Sequence, residues 1–189
     1  MPDTQFQELT SSRLRLRRFH EADLPFFCRY RADPEIARYQ SWLDFTEADG
    51  RRFFEDQCNL DPDKPGTWFQ FAIELRSTGE LVGDCALHTL ATDTRQAEVG
   101  FTLALHCQGK GYASEALACL LDYVFLTLGK HRVIAVTDAE NHRAARVLER
   151  TGFRREAHFL QNVWFKGKWS DEYLFAMLRE EWLRRNSPA

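Results

Sequence analysis

The segment Gln108-Gly-Lys-Gly-Tyr-Ala-Ser-Glu115 stands where an apolar stretch ending near Leu105 gives way to a different rhythm. From Ala113 onward, Ala116, Leu117, Leu120, Leu121, Val124, Phe125 and Leu128 recur at three- and four-residue steps, which predicts one long amphipathic helix stopped by Gly129. A glycine-containing turn that opens directly into a helix exposes consecutive backbone N–H groups, and the helix dipole adds partial positive charge there. Gly109 and Gly111 let the backbone approach an anion with no Cβ in the way. Ser114 can add a hydroxyl and Lys110 a screened positive charge. The turn suits a pyrophosphate, although a plain strand-to-helix connection can look the same.

Two other phosphate motifs compete for this turn. A Walker loop needs a Lys-Ser/Thr pair after its spacer, and none is present. A dinucleotide fingerprint is closer, since Gly109-x-Gly111 precedes a helix and Asp138 ends the next strand. Ser114 occupies its third glycine position, however, and Leu105-His-Cys107 lengthens the approach to the glycines.

Working outward, Leu14-Arg-Leu-Arg-Arg-Phe19 alternates as a first strand, with Arg13, Arg15, Arg17 and Arg18 read as a wet face. His20 to Arg31 reads as a helix with Pro25 in its first turn. Pro34 interrupts, and Thr46 caps a second helix to about Cys58, with Asp49 three residues on. Trp68 to Leu75, Leu81 to His88 and Glu98 to Leu103, separated by polar turns, make an antiparallel meander. Beyond the long helix come a short apolar strand, Arg132 to Thr137, and a helix from His142 to Thr151 ended by Gly152. Phe153 to Phe165 and Trp169 to Met177 flank Gly167 as a hairpin, and Arg179 to Arg185 closes as a short helix. No repeat or linker divides residues 1–189, which are expected to form one α+β domain whose mixed sheet carries helices on its faces.

A net charge of −3 gives no reason to expect nucleic acid or an anionic membrane as partner. Five widely spaced cysteines, none in a pair or cluster with metal-site spacing, read as reduced thiols of a cytoplasmic protein and imply no metal. Met1 to Ser12 is polar and is not a signal peptide. Ala116 to Leu126, broken by Asp122, is too short to cross a bilayer.

Gln108-x-x-Gly111-x-Ala113 resembles the Q/R-x-x-G-x-G/A acyl-CoA pyrophosphate motif of the GNAT (GCN5-related N-acetyltransferase) family. Asn141-x-x-Ala144-x-Arg-Val-Leu-Glu-Arg-Thr-Gly-Phe153 is similar to the segment that follows it in the branch acetylating ribosomal-protein N-termini. Arg13-Leu-Arg-Leu-Arg, Asp33-Pro34, Tyr39 to Trp42 and Gly167-x-Trp169-x-Asp171 resemble that branch too, so the likeness runs along nearly the whole chain. The resemblance implies a mostly antiparallel, splayed sheet with helices on both faces, and acetyl-CoA as cosubstrate. The pantetheine arm would lie between the strands 98–103 and 132–137. By position, Leu103 offers main-chain contacts, Gln108, Gly109, Lys110, Gly111, Tyr112, Ala113 and Ser114 hold the pyrophosphate, and Asn141 contacts the arm. The acceptor would be a primary amine, on a protein N-terminus or a small molecule, and the protein a monomer or homodimer.

Transfer to an amine requires that the incoming ammonium lose a proton. Glu98 lies at about the place of the family's glutamate base, where burial beside Val99 and Phe101 would raise its pKa; an edge-strand surface glutamate is the alternative. His88 and His158 are weaker candidates, Glu115 is most simply a helix-dipole partner, and Asp171 orients the hairpin. Tyr39, Trp42, Trp164 and Tyr173 are candidate acceptor-pocket residues. Two departures stand out: Leu148 replaces a tyrosine that many relatives use as general acid, and Ala144 replaces a serine of the ribosomal branch. Their absence keeps a CoA-binding domain without turnover as the alternative reading.

Overall fold

The computed structural model describes Phe6 and residues 8–186, so the reading of Met1 to Ser12 lies partly outside the described residues. In chain order the elements are β1 (Glu8–Thr10), β2 (Leu14–Arg17), α1 (Leu24–Arg31), α2 (Pro34–Ala37), α3 (Glu47–Gln57), β3 (Trp68–Leu75), β4 (Leu81–Thr89) and β5 (Gln96–Leu103). There follow α4 (Tyr112–Asp122), β6 (Arg132–Asp138), α5 (His142–Thr151), β7 (Arg154–Phe165), β8 (Lys168–Leu178) and α6 (Arg179–Asn186). The strands form one sheet in the order β1-β2-β3-β4-β5-β6-β8-β7, antiparallel at every junction except β5–β6. This is the expected α+β architecture.

Alternation along the strands gives the sheet two covered faces. Phe71 on β3 meets Tyr123 just beyond α4, so its face packs under α4. Asp84 on β4 points the other way and accepts hydrogen bonds from Tyr30 and Arg31 of α1. That second face corrects the reading of the early arginines. Leu14 and Leu16 are fully buried as expected, but Arg17 is buried too, bonded to Asp23 and Glu74, because α1 covers the side expected to be wet. A buried guanidinium is tolerated only when carboxylates meet it, and here two do.

Other differences are local. β1 and the one-turn α2, capped by Asp33, were not expected. The long helix keeps α geometry to Asp122 and then widens into a π turn over Tyr123–Thr127 before Gly129. The capping box of Thr46 and Asp49 forms as anticipated, and Gly152 ends α5 at φ 106°.

The feature that positions the site is the β5–β6 junction. These strands pair only at Gln96–Arg132, Ala97–Val133 and Glu98–Ile134. Beyond Glu98, β5 stays with β4 as far as Gly83–Leu103, whereas β6 stays with β8 as far as Asp138–Glu172. The sheet therefore splays. Gly83 allows this path, because a Cβ there would lie 2.2 Å from the Thr102 carbonyl oxygen and 2.8 Å from Leu103 Cα. Both neighbours are main chain and cannot rotate away. Gly83→Ala is expected to cost about 1–3 kcal/mol, read by urea denaturation. An unchanged midpoint would show that β5 can shift without penalty.

Candidate active site

The glycine turn is built as an open cradle. Gly109 (φ 76°) and Gly111 (φ 82°) are left-handed, and among the described residues no side chain caps α4. The first N–H groups of α4 thus lack intrahelical acceptors. Ser114 Oγ is buried with no partner among the described residues, an orphan that a bound oxygen ligand would satisfy. Among the described residues no atom outside the turn stands within 4 Å of where a Gly109 Cβ would lie. Arg13 braces the turn: Nη1 donates to the Lys110 carbonyl at 3.1 Å, and the guanidinium lies 4.8 Å over the Tyr112 ring. Glu115, expected as a dipole partner, also anchors Arg13 through its backbone N–H and Nε at 2.7 and 2.6 Å, and accepts from Ser11 Oγ at 2.8 Å. Burial alone would raise the Glu115 pKa, but these bonds pull it below its ordinary value. Lys110 itself is exposed, and Ala113 packs against the core.

The Gln108 side chain has partners within the fold. Its Nε2 donates to the Leu103 carbonyl at 3.1 Å and its Oε1 accepts from Arg143 at 3.2 Å, so it ties the end of β5 to α5 and aims the turn. One Leu103 main-chain acceptor is thereby engaged, and its side chain is buried.

Where β5 and β6 part, a cleft of about 190 Å³ opens, lined by Val99 to Phe101, Ala135 to Asp138, and Asn141, Ala144 and Leu148 of α5. Tyr39 and Gln40 close one side, and Val163, Phe165 and Glu172 another. Asn141 Oδ1 accepts from the Ala144 N–H at 3.1 Å as the α5 cap, so only its Nδ2 group is left for a ligand. A second cavity of about 500 Å³ shares Tyr39, Asp138 and Phe165 and leads outward.

An anion cradle at a helix start beside a slot in a splayed sheet is one arrangement, and the acetyltransferase (GNAT) domain model matches this chain over residues 13–154. The chain belongs to the GNAT acetyltransferase family. N-acetyltransferase p20 of Bacillus licheniformis is 31% identical over 176 residues, 93% of this chain and 98% of its own. A GNAT-family acetyltransferase structure from Bacillus anthracis superposes with a TM-score of 0.83 at 30% identity, covering 92% of this chain and 99% of that one. Spermidine N-acetyltransferase of Vibrio cholerae, solved with CoA and spermine, shares the fold at 24% identity and TM-score 0.79, over 92% and 99%. This chain is accordingly an N-acetyltransferase.

In this GNAT enzyme Glu98 is the last β5 residue paired with β6, at the apex of the splay. It is half-buried, and desolvation, with Glu172 nearby, raises its pKa above the ordinary value. His88 on β4 stands directly opposite Glu98, its ring stacked on Trp68 at 4.8 Å and its Nδ1 buried without a partner among the described residues. His158 lies outside the cleft lining, 2.8 Å from Asp171; Asp171 also accepts from the Gln161 N–H and so shapes the β7–β8 bulge, as expected.

Of the four aromatic candidates, Tyr39 lines the cleft and the other three do not. Trp42 donates from Nε1 to the Arg31 carbonyl, Trp164 packs edge-on against Trp169 at the exposed hairpin end, and Tyr173 lies under Arg155 against His158. Alternation decides this: Val163 and Phe165 face the cleft, so Trp164 between them faces away. Arg13, Gln40 and Glu172 belong to the site and were missed. Arg13 and Gln40 each lay in a motif-like stretch, 13–17 and 39–42, but Arg13 read as strand surface and Gln40 was passed over for its aromatic neighbours.

A carboxyl whose pKa is raised by folding stabilises the protein while protonated; that contribution is complete below the unfolded pKa and lost as pH climbs through the raised value. Ionised Glu98 therefore costs stability at pH 7. Glu98→Gln is expected to raise the thermal midpoint at pH 7, with the gap shrinking as pH falls into the ordinary carboxylate range. Equal midpoints at pH 7 would mean that Glu98 is fully solvated.

Proposed function

We propose that this chain transfers an acetyl group from acetyl-CoA to a primary amine by direct attack, with Glu98 as general base. One observation carries the reading: β5 and β6 part just past Glu98, a half-buried carboxylate, α5 walls the cleft that opens there, and Gln108 ties the turn ahead of uncapped α4 to that same helix. Backbone N–H groups of Gly109 to Ala113 and the Ser114 N–H and hydroxyl would hold the pyrophosphate, with Lys110 and Tyr112 at its margin. Leu103, through main-chain atoms, and Asn141, through Nδ2, flank the pantetheine arm, while Gln108 shapes the turn. When bound, acetyl-CoA supplies the thioester carbonyl.

The chain's own part is to orient the amine and take its proton. Glu98 and Glu172 favour an approaching ammonium, and Glu98, held above its ordinary pKa, accepts a proton more readily than a solvated carboxylate. On α5 the cleft is lined by Ala144 and Leu148, so that helix offers no proton donor to a departing thiolate. A thiol with pKa near ~8.5 leaves tolerably as the anion. The acceptor is a protein N-terminus or a small amine; the Vibrio cholerae neighbour, whose structure holds spermine, makes polyamines a first panel. Among the described residues no helix is long and apolar enough to cross a membrane.

Isothermal titration is expected to show micromolar acetyl-CoA binding that Gly111→Glu abolishes, since it sets bulk and negative charge in the cradle beside Arg13. Saturable binding of NAD with none of acetyl-CoA would contradict the reading. Glu98→Gln should lower kcat about 10²-fold with little change in the acetyl-CoA KM. Activity within twofold of wild type would move the base to His88 or water. The wild-type kcat should rise with pH through the Glu98 ionisation and then stay level to about pH 9.5. A fall above about pH 8.5 in folded protein would reveal a general acid, and Tyr39, the phenol in the cleft, is the residue to test.

A further inference from the structure

Lys166 sits at the tip of the β7–β8 hairpin with φ 48°, a left-handed backbone uncommon for a lysine. With Gly167 at φ 83° it completes a two-residue turn, and Asn or Asp would make that turn more readily. The turn therefore does not explain the lysine; its ammonium does. Nζ donates to the Trp42 carbonyl at 2.8 Å and also to the Ala37 carbonyl. Among the described residues no carboxylate pairs with it, and desolvation lowers its pKa.

The two carbonyls bracket residues 38–41, the segment that carries Tyr39 and Gln40 into the cleft. Val163 and Phe165, on the strand that runs into the turn, form the facing wall. Trp42 is fixed from beneath: its Nε1 bonds the Arg31 carbonyl at 2.8 Å, and Arg31 Nη2 bonds Asp84 of central β4 at 2.9 Å. The hairpin tip reaches that anchored segment through Lys166. A neighbouring ion pair, Lys168 to Glu140 of the β6–α5 connection at 3.1 Å, does not touch the 37–42 segment and joins side chains that are 57% and 56% exposed, where it contributes little.

We propose that Lys166 is a positioning residue, an ammonium latch that clasps the 37–42 segment to the β7–β8 hairpin and so sets the width of the amine-side cleft. The consequence for turnover rests on the cleft receiving the amine, as proposed above; the latch itself does not. A charged group held by main-chain carbonyls suits this task, because those acceptors stay in place whatever side chains line the segment, and bonds to a charged donor are stronger than neutral ones.

The test uses Lys166→Met, which keeps the aliphatic stem near Phe165 but removes the donors, with Lys166→Arg as the conservative variant and Lys168→Met as the comparison. Amide hydrogen exchange of residues 38–43 in ligand-free protein is expected to speed up about tenfold in Lys166→Met, to recover in Lys166→Arg, and to change less than about twofold in Lys168→Met. With spermidine or an alanine-initiated peptide, whichever the wild type acetylates, the amine KM should rise about fivefold while the acetyl-CoA KM stays within about twofold. Unchanged exchange at 38–43 in folded Lys166→Met overturns the latch, and so does a parallel rise of both KM values. Wild-type protein that acetylates no amine would count against the functional reading alone, since the exchange result decides the latch independently.

Discussion

The structure depends on one constraint: two adjacent central strands stop pairing halfway along. After Glu98 and Ile134 the facing edges of β5 and β6 have no ladder partner among the described residues, although both strands continue, each held on its other side. Backbone N–H and C=O groups inside a protein must be satisfied by something. Open edges at the rim of a sheet are guarded against pairing with strangers, whereas open edges in its middle are an invitation to a ligand of extended shape. Gly83 on one side and the β6–β8 ladder on the other hold the strands apart, so the gap is present before any ligand arrives.

The charges are arranged along that gap. At the α4 end, uncapped N–H groups and the braced arginine beside Gly111 favour an anion. At the apex, Glu98 and Glu172 disfavour one and favour a cation. The groups that favour an anion and those that favour a cation therefore stand on different elements, the first at the start of α4 and the second on β5 and β8. Desolvation, with Glu172 nearby, raises the Glu98 pKa, a perturbation that fits the proposed role of general base.

Much of this was legible in the sequence, for physical reasons. The apolar period of α4, the glycines ahead of it and the α5 face bearing Asn141, Ala144 and Leu148 are local patterns, and local patterns survive folding. The hidden parts are those set by what lies opposite in space. Arg17 looked wet because nothing local announces that α1 covers it, and the neighbour that raises the Glu98 pKa, Glu172, lies in the hairpin far along the chain. Gln108 matched a ligand-binding motif, yet its amide is occupied with Leu103 and Arg143, a role that only the folded neighbourhood defines. The π turn after Asp122 keeps the same apolar residues inside, so periodicity could not distinguish it from continued α-helix.

The most direct measurement is amide hydrogen exchange of the β5 and β6 backbones with and without saturating CoA. If the gap receives an extended arm by strand addition, amides within residues 99–103 and 135–137 gain protection together with those of residues 109–114. Protection confined to the α4 start, with the gap exchanging as freely as in the free protein, would contradict that role for the splayed strands.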